Sequence, residues 1–371
     1  MQIEVYDMQA NGSEISIILE AVCDSFSSLL WDVEYYQCGQ FEIYIAANPR
    51  NLAIFQIGKI IGRDDDKTHF GIIESVALET DAENGDYLTV TGRFLMSLLS
   101  RRIIYPTLSF TSKTSYGEML QKAVRQNCLI NGSRLIPGLQ IGEVSGTCWE
   151  QTARLQVSYA NLMEWIYKIC ELVGATANIR LQETTVNSGQ YKMLFELSSG
   201  VDRSILQEEN PHLMFSDSYN NLLNFAYSAD SSAHTNTAYV LGCGEGDARK
   251  RTMFFHGDEP QNLDRYEVYV DAKDVQQETQ NNGETVQISD EEYLELLQEK
   301  GAENLVPITE SSESTIAVDG RQYQYNKDYF VGDYVTVQHE RFGLSQPRIQ
   351  LIGMVESFDQ NGKGLTPTFK V

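Results

Sequence analysis

Two separated stretches of the chain follow one pattern. The first is FQIGKIIGR (55–63), followed by a loop and by FGIIESV (70–76). The second is YFVGDYVTV (329–337), followed by a loop and by IGMVESF (352–358). In both, apolar residues lead through a glycine into a strand, and a loop then leads into a second strand. Alternating apolar residues bounded by turn residues are typical of β-hairpins.

An Asn-Gly dipeptide follows each stretch, at 84–85 and at 361–362, and each dipeptide leads into another strand. Asn-Gly is a strong signal for a tight hairpin turn. We align Gly58 with Gly332, and GIIESV (71–76) with GMVESF (353–358). Chance similarity between two strand pairs is the alternative, but the shared order favours duplication. Two copies of one unit predict two similar β-barrels near the two ends of the chain.

The predicted fold class is α+β, mostly β. Two similar β-barrel tube domains flank an α/β domain, and the second barrel carries a small insertion that contains a helix. The predicted domains are a first barrel (1–108), an α/β brace domain (109–200), a second barrel (201–262 and 317–371) and the small inserted domain (263–316).

Three segments have the apolar spacing and the capping residues of helices. These signals are a capping box at Ser115 and Glu118, an apolar stripe from Asn161 to Val173 that Gly174 ends, and a capping box at Ser289 and Glu292 with Gly301 as the stop.

The chain of 371 residues is acidic, with 52 Asp and Glu against 28 Lys and Arg and a net charge of −24. Such a surface repels nucleic acid phosphates, so stable nucleic-acid binding is not expected. The N-terminus lacks the features of a signal peptide, and no apolar run is long enough to span a bilayer. The cysteines are scattered and form no metal-binding pair, which predicts reduced thiols and folding in a cytoplasm. They are Cys23, Cys38, Cys128, Cys148, Cys170 and Cys243.

Several short sequence motifs, in their order along the chain, resemble those of the hub proteins of siphophage tail tips and related baseplates. This family includes the N-terminal part of tail-associated lysins. The motifs are THFGIIES (68–75), TGRFL (91–95), LLSRRII (98–104), YVLGCGEG (239–246), Gly332-Asp333 and LTPTF (365–369).

This resemblance implies a structural virion protein of the tail tip, folded in the host cytoplasm during assembly. It implies a homotrimer whose two barrels per subunit make a ring of six that lines the channel for the genome. The implied partners are the distal tail protein or last tail-tube ring, the tape measure protein, and downstream tip, fibre or receptor-binding subunits. Many tail-associated lysins carry a further C-terminal domain, whereas this sequence ends at Val371, just after the predicted second barrel, so lytic activity is not expected. An acidic channel wall would let DNA slide without sticking.

We find no catalytic, metal or cofactor site in the sequence, and we expect no enzyme activity and no cofactor. Gly242, Gly244 and Gly246 follow a strand, but a strand-like segment rather than a helix comes next, so a structural turn is favoured over a phosphate-binding loop. Arg101 and Arg102 are candidate intersubunit contacts, because arginine favours interface carboxylates. A surface pair is the equal alternative. The run at 64–66 is interpreted as a solvated hairpin turn rather than a calcium site.

Two other classes of function compete with the structural hub. One is a β-rich surface adhesion or carbohydrate-binding module without enzymatic activity. The other is a peptidoglycan hydrolase, which the missing nucleophile and metal constellations disfavour.

Overall fold

Strands dominate the structure, a computed structural model that describes residues 1–12, 14–81, 85–130, 132–185, 188–246, 249–281, 284–316 and 323–370. Strands account for 46% and helices for 18%, so the predicted class, α+β and mostly β, is confirmed. Asn84, half of the first predicted Asn-Gly turn, lies outside the described residues.

The N-terminal part begins with strands whose side chains alternate between a buried and an exposed face, as in β3, where Leu29, Trp31 and Val33 point inward. Its elements are β1 (Ile3–Asn11), β2 (Glu14–Cys23), β3 (Ser28–Glu34), β4 (Gln40–Ala46), α1 (Pro49–Ile54), β5 (Ile60–Arg63), β6 (Asp66–Asp81) and β7 (Gly85–Phe94).

The next part, called the α/β segment below, combines helices with strands. Its elements are a 3-10 helix (Leu95–Arg101), β8 (Leu108–Ser109), α2 (Tyr116–Cys128), β9 (Leu139–Val144), a 3-10 helix (Thr147–Glu150), β10 (Gln156–Val157), α3 (Leu162–Val173), β11 (Thr176–Glu183) and β12 (Gln190–Ser198). The predicted capping box of α2 is present, and Gly174 ends α3 with a left-handed φ of 71°. The buried faces of α2 and α3 share one core with side chains of β2, β5 and β6.

The C-terminal part carries the remaining elements. They are β13 (Met214–Ser216), β14 (Leu222–Asp230), β15 (Thr237–Leu241), β16 (Arg251–Phe254), a 3-10 helix (Asn262–Asp264), β17 (Glu267–Asp271), β18 (Glu278–Asn281), β19 (Glu284–Gln287), α4 (Asp290–Ala302), β20 (Thr309–Ile316), β21 (Tyr334–His339), a 3-10 helix (Glu340–Phe342), β22 (Leu344–Asp359) and β23 (Gly362–Lys370).

One large sheet connects both ends of the chain. Its strand order is β11-β12-β2-β1-β5-β6-β7-β4-β3-β22-β23-β20-β14, with β21 beside β22, β13 beside β21 and β9 beside β12. The sheet therefore runs from the α/β segment through the N-terminal strands and into the C-terminal strands without a break.

The insertion starts earlier than predicted. β15 and β16, expected in the second barrel, pair instead with β17 in a separate sheet of three strands, and this sheet has its own core with α4. The boundary predicted at 262 thus divides one sheet. The insertion closes where the Thr235 N–H donates to the Val306 carbonyl at 2.8 Å, and the Val306 N–H donates to the Thr235 hydroxyl at 2.9 Å.

Gly301 does not stop α4, which continues to Ala302. Instead, Gly301 is buried against the sheet, where an added Cβ would lie 2.9 Å from Phe254 and 3.0 Å from Val240. The glycine is needed for a close approach of helix and sheet rather than for a turn.

The two stretches aligned in the sequence fold as the same three-stranded meander. β5, β6 and β7 form one copy, and β21, β22 and β23 form the other. Ile60 lies opposite Ile72 in the first copy, and Tyr334 lies opposite Gln350 in the second. The ladders shift register at equivalent places, two residues after these strands begin and again in the middle of β6 and β22.

The aligned glycines have the same role. Gly58 and Gly332 both have positive φ, 90° and 105°, in the turn before the first strand of each copy. The Gly58 N–H donates to the Ile73 carbonyl at 2.9 Å, and the Gly332 N–H donates to the Leu351 carbonyl at 2.6 Å. These two hydrogen bonds identify Ile73 and Leu351 as structurally equivalent positions in the two copies.

The sequence alignment of 71–76 with 353–358 is therefore four residues out of register with the observed strand pairing. It matched Gly71 with Gly353, whereas the ladders match Gly71, opposite Ile61, with Ile349, opposite Val335. Backbone hydrogen bonds and bulges set the register of a sheet, and the first two strands are joined by a longer hairpin in the second copy.

The duplication extends to five strands. β4 pairs with β7 and β3 with β4 in the first copy, as β20 pairs with β23 and β14 with β20 in the second. We name β3-β4-β7-β6-β5 repeat A and β14-β20-β23-β22-β21 repeat B. The short link between β3 and β4 in repeat A corresponds to the link between β14 and β20 in repeat B, which holds the insertion.

Candidate assembly surfaces

Repeats A and B join along β3 and β22. The strands are antiparallel, with Leu29 opposite Phe358 and Glu34 opposite Gly353. Backbone pairing therefore continues from one repeat into the other.

A buried ion cluster lies at the junction. Arg63 and Glu356, each with a side chain only 1% exposed, approach to 2.9 Å. The Arg63 Nε lies 2.8 Å from Asp65, and Lys363 forms an ion pair with Glu356. The guanidinium also lies 4.7 Å from the ring centre of Phe358. Burial opposes the charge on Arg63, but Asp65 and Glu356 raise the pKa of its guanidinium overall.

Asp64 and Asp65 form the predicted exposed hairpin turn between β5 and β6, but Asp66, the first residue of β6, is only 4% exposed. Its carboxylate accepts hydrogen bonds from Trp31 Nε1 at 3.0 Å and from the Thr68 N–H at 2.9 Å, and it lies 2.8 Å from His69 Nδ1. Burial alone would raise the pKa of Asp66, but His69 and the backbone donors lower it well below its usual range. The sequence missed this site because consecutive carboxylates resemble an exposed turn.

The duplication identifies the edges that correspond to this junction. The counterpart of β22 residues 353–358 is 75–80 of β6, and the counterpart of β3 is β14. Among the described residues, β14 ends the large sheet, and 75–80 pair only with β7. One such junction is therefore formed within the chain, and the two corresponding strand edges, β14 and residues 75–80, have no strand partner in the described part.

At the positions where the junction has buried side chains, the two open edges carry exposed side chains that are largely apolar. Leu78, 51% exposed, is the counterpart of Glu356, and Tyr227, 43% exposed, is the counterpart of Trp31. Val76 packs partly against the core of repeat A. Exposed strand edges with apolar residues favour pairing with another chain.

Arg101 and Arg102 lie at the end of the 3-10 helix that follows repeat A. The Arg102 guanidinium donates to the carbonyl oxygens of Arg134 and Arg101, each at 3.1 Å. Arg101 is exposed. Within the described part of the chain, neither forms an ion pair, so the predicted role at an interface stays a prediction.

An aromatic pair lies beside the two arginines. The rings of Tyr105 and Tyr159, 54% and 68% exposed, have centres 6.0 Å apart. Tyr159 has a φ of 57°, a backbone region that bulky residues rarely adopt. Tyr and Arg are residue types enriched at protein interfaces, and the neighbouring Ile103 is also exposed.

The glycine run lies in the insertion, not in a barrel bend. Gly244 and Gly246 have positive φ of 114° and 51°, as a turn between β15 and β16 requires. Gly242 instead permits a close contact, since an added Cβ would lie 2.4 Å from the Tyr293 hydroxyl. The turn leads into β16 rather than a helix, so it lacks the geometry of a phosphate-binding loop.

A cavity of about 180 Å³ lies between repeat A, α3 and the turn before β21. Glu34 and His69 are among its lining residues. Burial, and secondarily the charge of Asp32, raise the pKa of Glu34 to about 7. The carboxyl is thus near its protonation midpoint at neutral pH.

The histidines and cysteines do not converge. Among the described residues, no group of three or more His, Cys, Asp or Glu side chains could hold a metal ion. All six cysteines are free thiols. Within the same residues, no helix has the length and apolar character to cross a bilayer. The nearest histidine partners are Asp66 for His69, Gln207 for His212, Val306 for His234, Phe254 for His256 and Asp217 for His339.

Three solved structures that superimpose on nearly the whole chain are tail proteins. A tail protein from Neisseria meningitidis MC58 superimposes with a TM-score of 0.54 at 14% identity, covering 100% of this chain and 96% of the other. Prophage tail protein gp18 from Listeria monocytogenes EGD-e gives 0.53 at 11% identity, covering 100% and 94%. The 43 kDa tail protein of prophage MuSo2 from Shewanella oneidensis gives 0.50 at 10% identity, covering 99% and 98%. At these identities the likeness shows the fold.

The family follows from the sequence. The model of the Siphovirus ReqiPepy6 Gp37-like protein family matches residues 2–369. The chain therefore belongs to this family and is a phage tail protein, as the resemblance of its sequence motifs predicted. No curated protein matches the chain.

Proposed function

We propose that three copies of this chain form a ring of six repeats at the tip of a phage tail, and that the ring caps the hexameric tail tube. The observation that carries the proposal is the duplication: β3 and β22 join repeat A to repeat B, while in the described part of the chain no strand pairs with the corresponding edges of β14 and 75–80. Repeating the same junction between copies links repeat B of one chain to repeat A of the next. Such a head-to-tail contact forms a closed ring when its rotation closes.

The duplication also predicts the residues that meet. Transferring the β3–β22 register places Ser75 opposite Asp230, Leu78 opposite Tyr227, and Glu79 opposite Ala226 of the next copy. The pairing would remove Leu78 and Tyr227 from water, which stabilises the contact by roughly 25 cal/mol per Å² of apolar surface buried.

The two barrels of the prediction correspond to repeats A and B in this proposal. In the ring, the repeats line the channel and the α/β segment braces it from outside. The net charge of −24 makes an acidic channel wall the expected arrangement, since it would repel the genome as it passes. Family membership supports a structural role without enzyme activity.

The proposed partners follow from a position at the tail tip. They are the distal tail protein or last tube ring on one side, the tape measure protein within the channel, and tip, fibre or receptor-binding subunits below. The hub would fold in the host cytoplasm and reside in the virion tail.

Arg101 and Arg102 are proposed to contact carboxylates of a neighbouring subunit, together with Tyr105 and Tyr159. Mass measurement by light scattering tests the ring and this contact together. The wild-type chain is expected at three times 41.9 kDa, about 126 kDa. The variant with Arg101→Glu and Arg102→Glu should dissociate at a higher protein concentration. A wild-type monomer at micromolar concentration would refute the trimer, and an unchanged variant would refute only the arginine contact.

A further inference from the structure

The insertion has one covered and one open sheet face. On the covered face, Ala238, Val240 and Val270 are buried against α4. On its other side, α4 contacts the α/β segment, where Arg154 forms ion pairs with Glu292 at 3.0 Å and Glu295 at 3.2 Å. The open face of the sheet therefore points away from the α/β segment.

A row of large side chains crosses the open face. Tyr239 of the central strand lies opposite Met253 on one side and opposite Tyr269 on the other. Residues directly opposite each other project from the same side of a sheet. Tyr239 is 40% exposed and Tyr269 is 58% exposed. The two rings thus lie side by side and remain accessible to water.

Arginines hold both tyrosine hydroxyls in place. Arg265 donates to the Tyr239 hydroxyl at 2.8 Å, and Arg249 donates to the Tyr269 hydroxyl at 3.2 Å. The same guanidiniums pair with Glu267 at 2.6 Å and with Asp271 at 2.5 Å. The rings are therefore ordered before any ligand arrives, which reduces the entropy lost on binding.

Most charges on this face are paired, although the chain as a whole is at −24. Arg249 and Lys273 pair with Asp271, and Arg265 pairs with Glu259 and Glu267. Arg251 projects from the same side of the sheet. A face whose charges are paired with each other offers donors and acceptors that complement an uncharged ligand rich in hydroxyl groups.

The area of the face favours a small ligand over a folded protein. Three strands about 4.8 Å apart and about five residues long, at about 3.3 Å per residue, cover roughly 240 Å². A stable protein interface needs about 800 Å² on each partner.

We propose that this face binds a neutral oligosaccharide of two or three rings. Tyr239 and Tyr269 supply apolar surfaces for the C–H faces of adjacent sugar rings, because an aromatic face carries negative charge density. Arg249, Arg265 and Glu267 supply donors and acceptors for the sugar hydroxyls. The site does not depend on the ring proposed above.

A glycan array of neutral and anionic bacterial oligosaccharides, probed with the full chain, tests the proposal. Binding to at least one neutral glycan is expected. Titration with that glycan should show affinity reduced about fivefold or more in Tyr239→Ala and in Tyr269→Ala. Tyr269→Phe keeps the ring and should lose less than Tyr269→Ala.

The matched control is Tyr219→Ala, since Tyr219 is exposed to a similar extent, 50%, outside the insertion. It should bind like the wild type, and a thermal unfolding midpoint unchanged from the wild type would show that each variant keeps its fold. Binding to no neutral glycan at about 10 mM, binding to anionic glycans alone, or equal losses in Tyr219→Ala and Tyr269→Ala would overturn the proposal.

Discussion

Glu356 and Glu74 occupy the same position in two similar sequence motifs, but their structural environments differ. Glu74, within GIIES, forms a part-exposed ion pair with Arg93 at 2.8 Å. Glu356, within GMVES, is buried against Arg63. The four-residue shift in register explains the difference. The sequence did contain a signal for the buried carboxylate, because Met354, Glu356 and Phe358 alternate on one inward face.

Replacing the buried carboxylate should be costly. Glu356→Gln leaves Arg63 and Lys363 without their main partner, and breaking a buried pair destabilises a protein by about 3 kcal/mol. We expect urea unfolding at fixed protein concentration to show a loss of that size. Glu171→Gln is the control, because Glu171 forms an exposed pair with Lys370 at 2.7 Å, and such pairs contribute less than about 1 kcal/mol. Equal losses in the two variants would contradict the account.

Glu34 should make stability depend on pH. Burial, and secondarily the charge of Asp32, raise its pKa in the folded chain to about 7 from the ordinary 4.5 of a glutamate, so the folded state binds more protons between these values. Stability from this group is therefore lost as pH rises through that window. We expect the thermal midpoint of the wild type to fall relative to Glu34→Gln between pH 5 and pH 8. A constant difference across this range would be evidence against the shift.

At the scale of elements, local signals worked where local contacts decide the structure. The helix at Asn161–Val173 and the two capping boxes need only neighbouring residues, and all are present. The placement of AYVL and RTMF was wrong, because alternation identifies a strand but not the sheet it joins. The β3–β22 junction connects residues more than 300 positions apart, and no local pattern specifies it.

The corrected limits of the insertion can be tested by excision. Thr235 and Val306 are hydrogen-bonded neighbours, so joining them through a short Gly-Ser linker should leave both repeats folded. We expect the trimer mass to persist, with a loss of about 1 kcal/mol from the Arg154 ion pairs.

The control for the excision removes 263–305 instead, starting at the boundary predicted from the sequence. It leaves β15 and β16 without β17 and α4 and should expose their apolar faces. Aggregation of this variant, with a well-behaved 235–306 excision, is the expected pair of results in size-exclusion chromatography. Aggregation of the 235–306 excision together with a well-behaved 263–305 excision would instead support the boundary predicted from the sequence.

At the scale of the whole molecule, the residues that the structure describes form one junction between the repeats and leave the two corresponding strand edges without a strand partner. The ladders of repeats A and B agree in strand order, in bulge positions and in the turn glycines Gly58 and Gly332. A duplicated unit of this kind explains how three chains could match a tube of six-fold symmetry. Composition supports only the charge part of this argument, since it does not say where the acidic residues lie.

The most direct test of the ring is a disulfide cross-link in the transferred register. Cysteines at Glu79 and Ala226 should face each other across the contact between copies, and mild oxidation should produce a ladder on a denaturing gel that ends at the covalent trimer. The parent chain and the out-of-register pair Glu79→Cys with Ala229→Cys should stay monomeric on that gel. A trimer in solution that fails to cross-link would refute the register, and cross-linking of neither pair in a monomeric protein would contradict the ring itself.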